Sequence, residues 1–77
     1  MDKPIQFDFA TVLHDLKYGR AFTRAAWPGH SILIALQPHD IWSPITVPYI
    51  FMRTKEGDRV PWTPSQVDLL ATDWEIV

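Results

Sequence analysis

No cysteine occurs anywhere in this 77-residue chain, and that absence removes the two staples on which very small folds most often rely. Disulfides are excluded, and so is a structural zinc held by thiolates. A domain of this length hides only about 60% of the surface that its unfolded chain exposes. Its stability must come from an apolar core, and self-association is the cheapest way to enlarge that core. An oligomer is therefore expected. Hydrophobic residues are 47% of the chain and charged residues 21%, the balance of a folded protein rather than a disordered one. Residues 1–77 are expected to form a single domain.

The charge pattern narrows the partners. With a formal net charge of −2 and no cluster of Lys or Arg, the chain lacks the basic face that duplex nucleic acid requires. Small anions stay within reach, because one or two arginines and a few backbone N–H groups can hold a phosphate. No apolar run approaches the roughly 20 residues that cross a bilayer. The start, Met1-Asp2-Lys3-Pro4, lacks the charged-then-apolar pattern of a secretory signal. Together with the missing cysteines, this points to a reducing cytoplasm.

The spacing predicts a helix from Asp8 to Tyr18, with Phe9, Val12, Leu13 and Leu16 on one face. Asp8 is its expected N-cap, and Gly19 suits the left-handed closing position. A short strand is expected over Arg20–Trp27, then a turn at Pro28-Gly29 and a largely buried strand over Ser31–Gln37. Pro38–Pro48, with three prolines and Trp42, reads as a loop. Tyr49–Thr54 and Asp58–Trp62 bracket a hairpin in which Gly57 takes positive φ. Thr63-Pro64-Ser65-Gln66 is expected to open a second helix, with Thr63 as cap, Pro64 at its first position and Gln66 reaching back. That helix would run to Ala71 and bury Val67 and Leu70 or nearby apolar positions, before a closing strand with Trp74 and Ile76. The sum is an α+β fold, a small antiparallel sheet with two helices packed on it.

Few residues invite catalysis. There is no Cys nucleophile, GxSxG, HExxH, P-loop or GxGxxG. His14, His30 and His39 have no ligand spacing and read as surface residues, so no metal site is expected. Asp68 and Asp73 flank the second helix and admit an acid/base pair, though solvated helix residues explain them equally well. The tryptophans carry more. Trp27 lies where a strand meets a Pro-Gly turn, and Trp62 where a strand meets a helix start. An indole face stacking on a base contributes about 1–3 kcal/mol. The helix start beside Trp62 favours an anion, Arg24 is a candidate bidentate phosphate partner, and Ser65, Gln66 and Asp68 are candidates to read a base edge or ribose. Tryptophans in a domain this small are more often core or interface residues than ligand platforms, which applies to Trp27 and Trp62, and Trp74 reads as core. The residues alone describe a binding module with an unnamed ligand.

FATVLHDLKYGRAFTRAAWPG, YIFMRTKEGDRVPW and TPSQVDLLATDWEIV add a family resemblance. They carry a helix ending in Leu-Lys-x-Gly, an Arg-x-x-Trp-x-Gly element, a Gly-containing hairpin into Val-Pro-Trp, and Ser-Gln-x-Asp-x-Leu-Ala-x-Asp-Trp. From Phe7 to Val77 the chain resembles the phage Thoeris anti-defence proteins of the second type, a family first catalogued as a domain of unknown function. The resemblance implies a sponge. Such a protein binds a cyclic ADP-ribose isomer made by a host TIR enzyme, and in some members a cyclic dinucleotide of CBASS signalling, without cleaving it. It implies a homotetramer with pockets between subunits, acting in the cytoplasm of the infected bacterium with no cofactor. It places Trp27 and Trp62 around the base, Arg24 near phosphate, and Ser65, Gln66 and Asp68 as polar contacts. The chain departs from the pattern at Ala26, where Gly is usual, at Pro28 and His30, at Tyr49, where His is common, and in a shorter Pro38–Pro48 loop that would reshape the pocket. Two rivals follow from the residues: a small nucleotide hydrolase using Asp68 or Asp73, and a protein-binding module with the tryptophans as hot spots.

Overall fold

The computed structural model describes residues 5–28, 31–38 and 47–77. Helix α1 (Phe9–Leu16) begins where Asp8, in extended backbone, accepts the Thr11 amide on its side chain at 3.0 Å. It is followed by Gly19 at φ 91°, a left-handed conformation that costs glycine little. Val12 and Leu16 are fully buried and Phe9 half-buried, while Leu13 lies at the rim of the apolar face and stays exposed.

Strands β1 (Phe22–Arg24), β2 (Leu33–Gln37), β3 (Tyr49–Arg53) and β4 (Arg59–Pro61) form an antiparallel meander. After helix α2 (Gln66–Leu70), strand β5 (Trp74–Ile76) returns to pair with β1, giving the order β4-β3-β2-β1-β5. Beyond β5, Phe7 exchanges backbone hydrogen bonds with Trp74 at 2.8 and 3.3 Å and covers that edge. The turn from β3 to β4 closes through Thr54 and Asp58, with Gly57 at φ 92° as the sequence requires. The architecture is the expected α+β fold, with five antiparallel strands and two helices among the described residues.

Register explains the core. Val60, Met52, Ile34, Phe22 and Ile76 stand in one row across the five strands. Its centre, Ile34 and Phe22, is fully buried beneath α1 with Val12, Leu16 and Trp74, whereas Val60 and Ile76 at the ends are exposed. On the other face of the sheet, Thr23, Leu33 and Phe51 are buried as well. Thr23 satisfies its hydroxyl there by donating to the Ile32 carbonyl at 2.7 Å, and the Arg59 guanidinium lies over the Phe51 ring at 4.9 Å.

Three sequence expectations need correction. The strand expected over Arg20–Trp27 is only three residues long, because the chain turns after Arg24: the Trp27 amide donates to the Arg24 carbonyl and the Ala25 amide to that of Asp73. The second helix is capped by Ser65, not Thr63. The Ser65 side chain accepts the Asp68 amide while the Asp68 carboxylate accepts the Ser65 amide, a capping box two residues later than the one expected with Gln66. Finally, α2 buries no residue, and Val67 and Leu70 are 69% and 79% exposed. Asp68 is its inward-facing member, so polar bonds hold this helix in place of an apolar face. The expected turn at Gly29 and most of the Pro38–Pro48 loop, including Trp42, lie outside the described residues, as do His30 and His39.

Candidate functional site

Trp74 organises the end of the molecule where the candidate residues meet. Its register partner on β1 is Arg24, and its side chain is fully buried. The indole Nε1 donates to the Asp68 carbonyl of α2 at 3.1 Å. Among the described residues three aromatic rings pack on it. Trp27 packs edge-on at 5.2 Å between centroids and 84°, Trp62 at 5.8 Å and 85°, and Phe9 at 5.6 Å. Phe9 also touches Trp62 at 5.7 Å. Trp27 and Trp62, 35 positions apart in sequence, are thus both held against one buried ring. Both remain half-buried, so each keeps part of an indole in solvent.

Sequence position explains each arrival. Trp27 ends the turn that leaves β1. Trp62 follows β4 directly, and its amide still donates to the Ile50 carbonyl of β3 at 2.9 Å, which fixes the ring at the sheet's end. Edge-to-face contact with Trp74 is the favoured geometry for aromatic pairs and adds about 0.5–1.5 kcal/mol each beyond the area buried.

The polar candidates form a second layer. Arg24 donates from Nε to Asp73 Oδ1 at 2.8 Å, from Nη1 to Asp68 Oδ1 at 2.9 Å, and from Nη2 to Asp73 Oδ2 at 3.5 Å. Side-chain exposure is 12% for Arg24, 17% for Asp68 and 26% for Asp73. Burial alone pushes the Asp73 carboxyl up, but the Arg24 guanidinium and the Ala26 amide outweigh it and hold Asp73 below the ordinary carboxylate value. The bond to Asp73 likewise raises Arg24 above its ordinary value, against the opposing effect of burial. This cluster carries one positive and two negative charges.

The helix start beside Trp62 is occupied by its own side chain. Asp68 Oδ2 accepts from the Ser65 amide at 3.2 Å and from the Ser65 hydroxyl at 3.0 Å. The anion favoured at a helix N-terminus is here an internal carboxylate. Of the six candidates, Trp27, Trp62, Arg24, Ser65 and Asp68 are linked through Trp74 or through one another, while Gln66 is exposed on the outer side of the cap. Asp73 belongs to the cluster too, not as one of a pair of free carboxylates but as the anchor of Arg24. Its spacing from Asp68 on a short helix was visible in the sequence. Its partner across the sheet was not.

The model of the Thoeris anti-defense 2-like domain matches residues 7–77. The chain belongs to this family. It is also similar to a protein of Bacillus phage SP01 named Thoeris anti-defense 2, 31% identical over 85 aligned residues that span 94% of this chain and 96% of that protein. The match to the Thoeris anti-defense 2-like domain begins at Phe7, the residue that closes the β5 edge, and runs to the last residue, so it includes every element of the sheet and both helices.

Proposed function

We propose that this protein is a phage anti-defence sponge that captures a cyclic nucleotide messenger of Thoeris immunity and holds it uncleaved. The ligand class is a cyclic ADP-ribose isomer made by a TIR enzyme, with cyclic dinucleotides of CBASS signalling as a second class. The observation that carries the reading is the placement of two part-exposed indoles, Trp27 and Trp62, on one buried tryptophan. Each offers a flat surface on which a base can stack. Membership in the Thoeris anti-defense 2-like family supports the anti-defence role. The protein would act in the cytoplasm of the infected host, where such messengers are made; among the described residues no helix is long and apolar enough to cross a membrane.

Sequestration needs tight binding and slow release, not turnover. The carboxylates that a hydrolase would use are committed to Arg24, and Asp73 is held ionised and so is a poor proton donor. Assembly into a homotetramer is part of the proposal. The reading is supported by Val67 and Leu70 of α2, 69% and 79% exposed, which offer apolar surface for a second subunit to cover in a chain that buries little on its own.

The test is recovery of the ligand. The protein is incubated with the cyclic ADP-ribose isomers produced by a TIR enzyme, washed, and denatured by heat. Release of the intact cyclic compound supports the proposal. Linear ADP-ribose would point to hydrolysis, and empty protein to a module that binds other proteins. Native mass spectrometry of the same sample reads subunit number and retained ligand mass together.

A further inference from the structure

Arg24 is the point at which the supports of the two half-buried tryptophans, Trp27 and Trp62, join. On one side Asp73 holds the turn that carries Trp27: its carboxylate accepts the Ala26 amide at 3.1 Å and its carbonyl the Ala25 amide at 3.1 Å, while Trp27 donates its own amide to the Arg24 carbonyl at 3.0 Å. On the other side Asp68 closes the α2 cap and, through its carbonyl, fixes the indole of Trp74, against which Trp62 rests. Arg24 binds both carboxylates at once, and its Cζ lies 6.0 Å from the centre of the Trp74 ring.

We infer that Arg24 is a positioning residue, which sets the placement of Trp27 relative to Trp62 through its clasp on Asp68 and Asp73, and that it is not a contact for the ligand's phosphates. The inference rests on the reading that these two indoles hold the ligand. Two arguments support it. Three of the five N–H donors of the guanidinium, one from each nitrogen, are already directed at carboxylates. A phosphate reaching the guanidinium would also approach Asp68 and Asp73, whose combined charge exceeds that of Arg24, with little solvent to screen the repulsion. Only the planar fork of arginine spans both carboxylates; the single ammonium of lysine keeps the charge but loses the geometry.

The two roles predict opposite signs for one substitution. Asp73→Asn loosens the clasp and leaves Arg24 with one carboxylate fewer. As a positioning residue, Arg24 then fails to hold the turn, and affinity for the TIR-made cyclic ADP-ribose isomers falls by roughly ten- to a hundredfold, by analogy with the loss when a group that orients a metal ligand is removed. As a phosphate contact, the freed Arg24 would bind them as well as before or better. Arg24→Lys, which retains the charge and is the milder change if Asp73→Asn does not fold, should lose affinity comparably, and the double variant should lose no more than the worse single one. A second readout needs no ligand. In nitrogen-15 NMR spectra of the free protein, the Trp27 indole resonance should shift in both variants while the overall fold is retained. An unmoved Trp27 indole, or undiminished binding by Asp73→Asn, overturns the inference. Should the parent protein bind none of the isomers, the sponge reading falls, and the indole spectra still decide whether Arg24 positions Trp27.

Discussion

Arg24 and Asp73 are 49 positions apart in sequence, yet Arg24 Nε donates to Asp73 Oδ1 at 2.8 Å. The β1–β5 register produces this meeting: Arg24 stands opposite Trp74, so the residue just before Trp74 falls beside the guanidinium. The pair ties the approach to the last strand to the end of β1, and it does so with a carboxylate whose ionisation is shifted. A shifted ionisation makes stability depend on pH.

Asp73 is held below its ordinary value of 3.8 in the folded protein. A carboxyl of this kind stabilises the fold above its unfolded value, and that contribution disappears as pH falls through the folded one. The stability difference between the parent and Asp73→Asn should therefore be constant near neutrality and shrink as pH falls below about 3.8. At neutral pH the loss should be about 2 kcal/mol, the scale of a hydrogen bond to a charged group. For a domain of this size that lowers the melting temperature by roughly 10 °C. Thermal unfolding of both proteins between pH 7 and acid conditions checks it; parallel curves throughout would remove Asp73 from the acid response.

Ser65 and Thr63 offer a sharper test of local structure. The side chain of Ser65 accepts the Asp68 amide at 3.1 Å in a capping box. Ser65→Ala should cost about 1 kcal/mol, the usual penalty for a lost N-cap. Thr63→Ala, outside the helix and exposed, should fall within about 0.5 kcal/mol of the parent, as for most surface changes. Urea unfolding distinguishes them. Equal losses would place the helix start where the sequence first suggested.

Local chemistry was legible in the sequence, and partnership across the sheet was not. Asp8, Gly19 and Gly57 each announce a cap or a positive φ from their immediate neighbours, and the structure uses all three. Trp74 was readable as core because it alternates with Glu75 in a short terminal strand. The second helix misled because Thr63-Pro64-Ser65-Gln66 contains two hydroxyl caps in succession. Which one acts is decided by Asp68, whose carboxylate returns to Ser65. Val67 and Leu70 were expected inside by helical spacing, but a five-residue helix anchored through Asp68 turns them outward. Arg24 read as an available phosphate partner because a single sequence does not show which carboxylates β5 will bring to it.

Trp74 separates a core tryptophan from the half-buried ones by its mutational cost. Trp74→Ala removes a fully buried ring and leaves the Asp68 carbonyl without its indole donor. Such a truncation costs about 3–5 kcal/mol, a large share of the roughly 4–12 kcal/mol available to a chain of this length. The variant should be largely unfolded or melt far below the parent by circular dichroism. Trp74→Phe keeps an aromatic body without the N–H donor and should fold with a smaller loss. A native-like melting temperature for Trp74→Ala would mean that the three-tryptophan arrangement does not organise this end of the molecule.

Trp27 and Trp62, by contrast, should be dispensable for folding and required for binding. Each is half-buried and packs against the core from its rim, so truncation leaves a notch open to solvent and not a sealed cavity. If a base stacks on each ring, Trp27→Ala and Trp62→Ala should each weaken capture of a cyclic ADP-ribose isomer by about 5- to 150-fold, which is 1–3 kcal/mol of stacking expressed as affinity. Replacement by Phe should recover part of the loss, because a smaller ring still presents a π face. Calorimetric titration of folded variants, with subunit number verified by native mass spectrometry, separates the stacking term from lost assembly. Variants that keep their subunit number and still bind as tightly as the parent would show that the messenger is held elsewhere, and the two indoles would then be left as packing around Trp74.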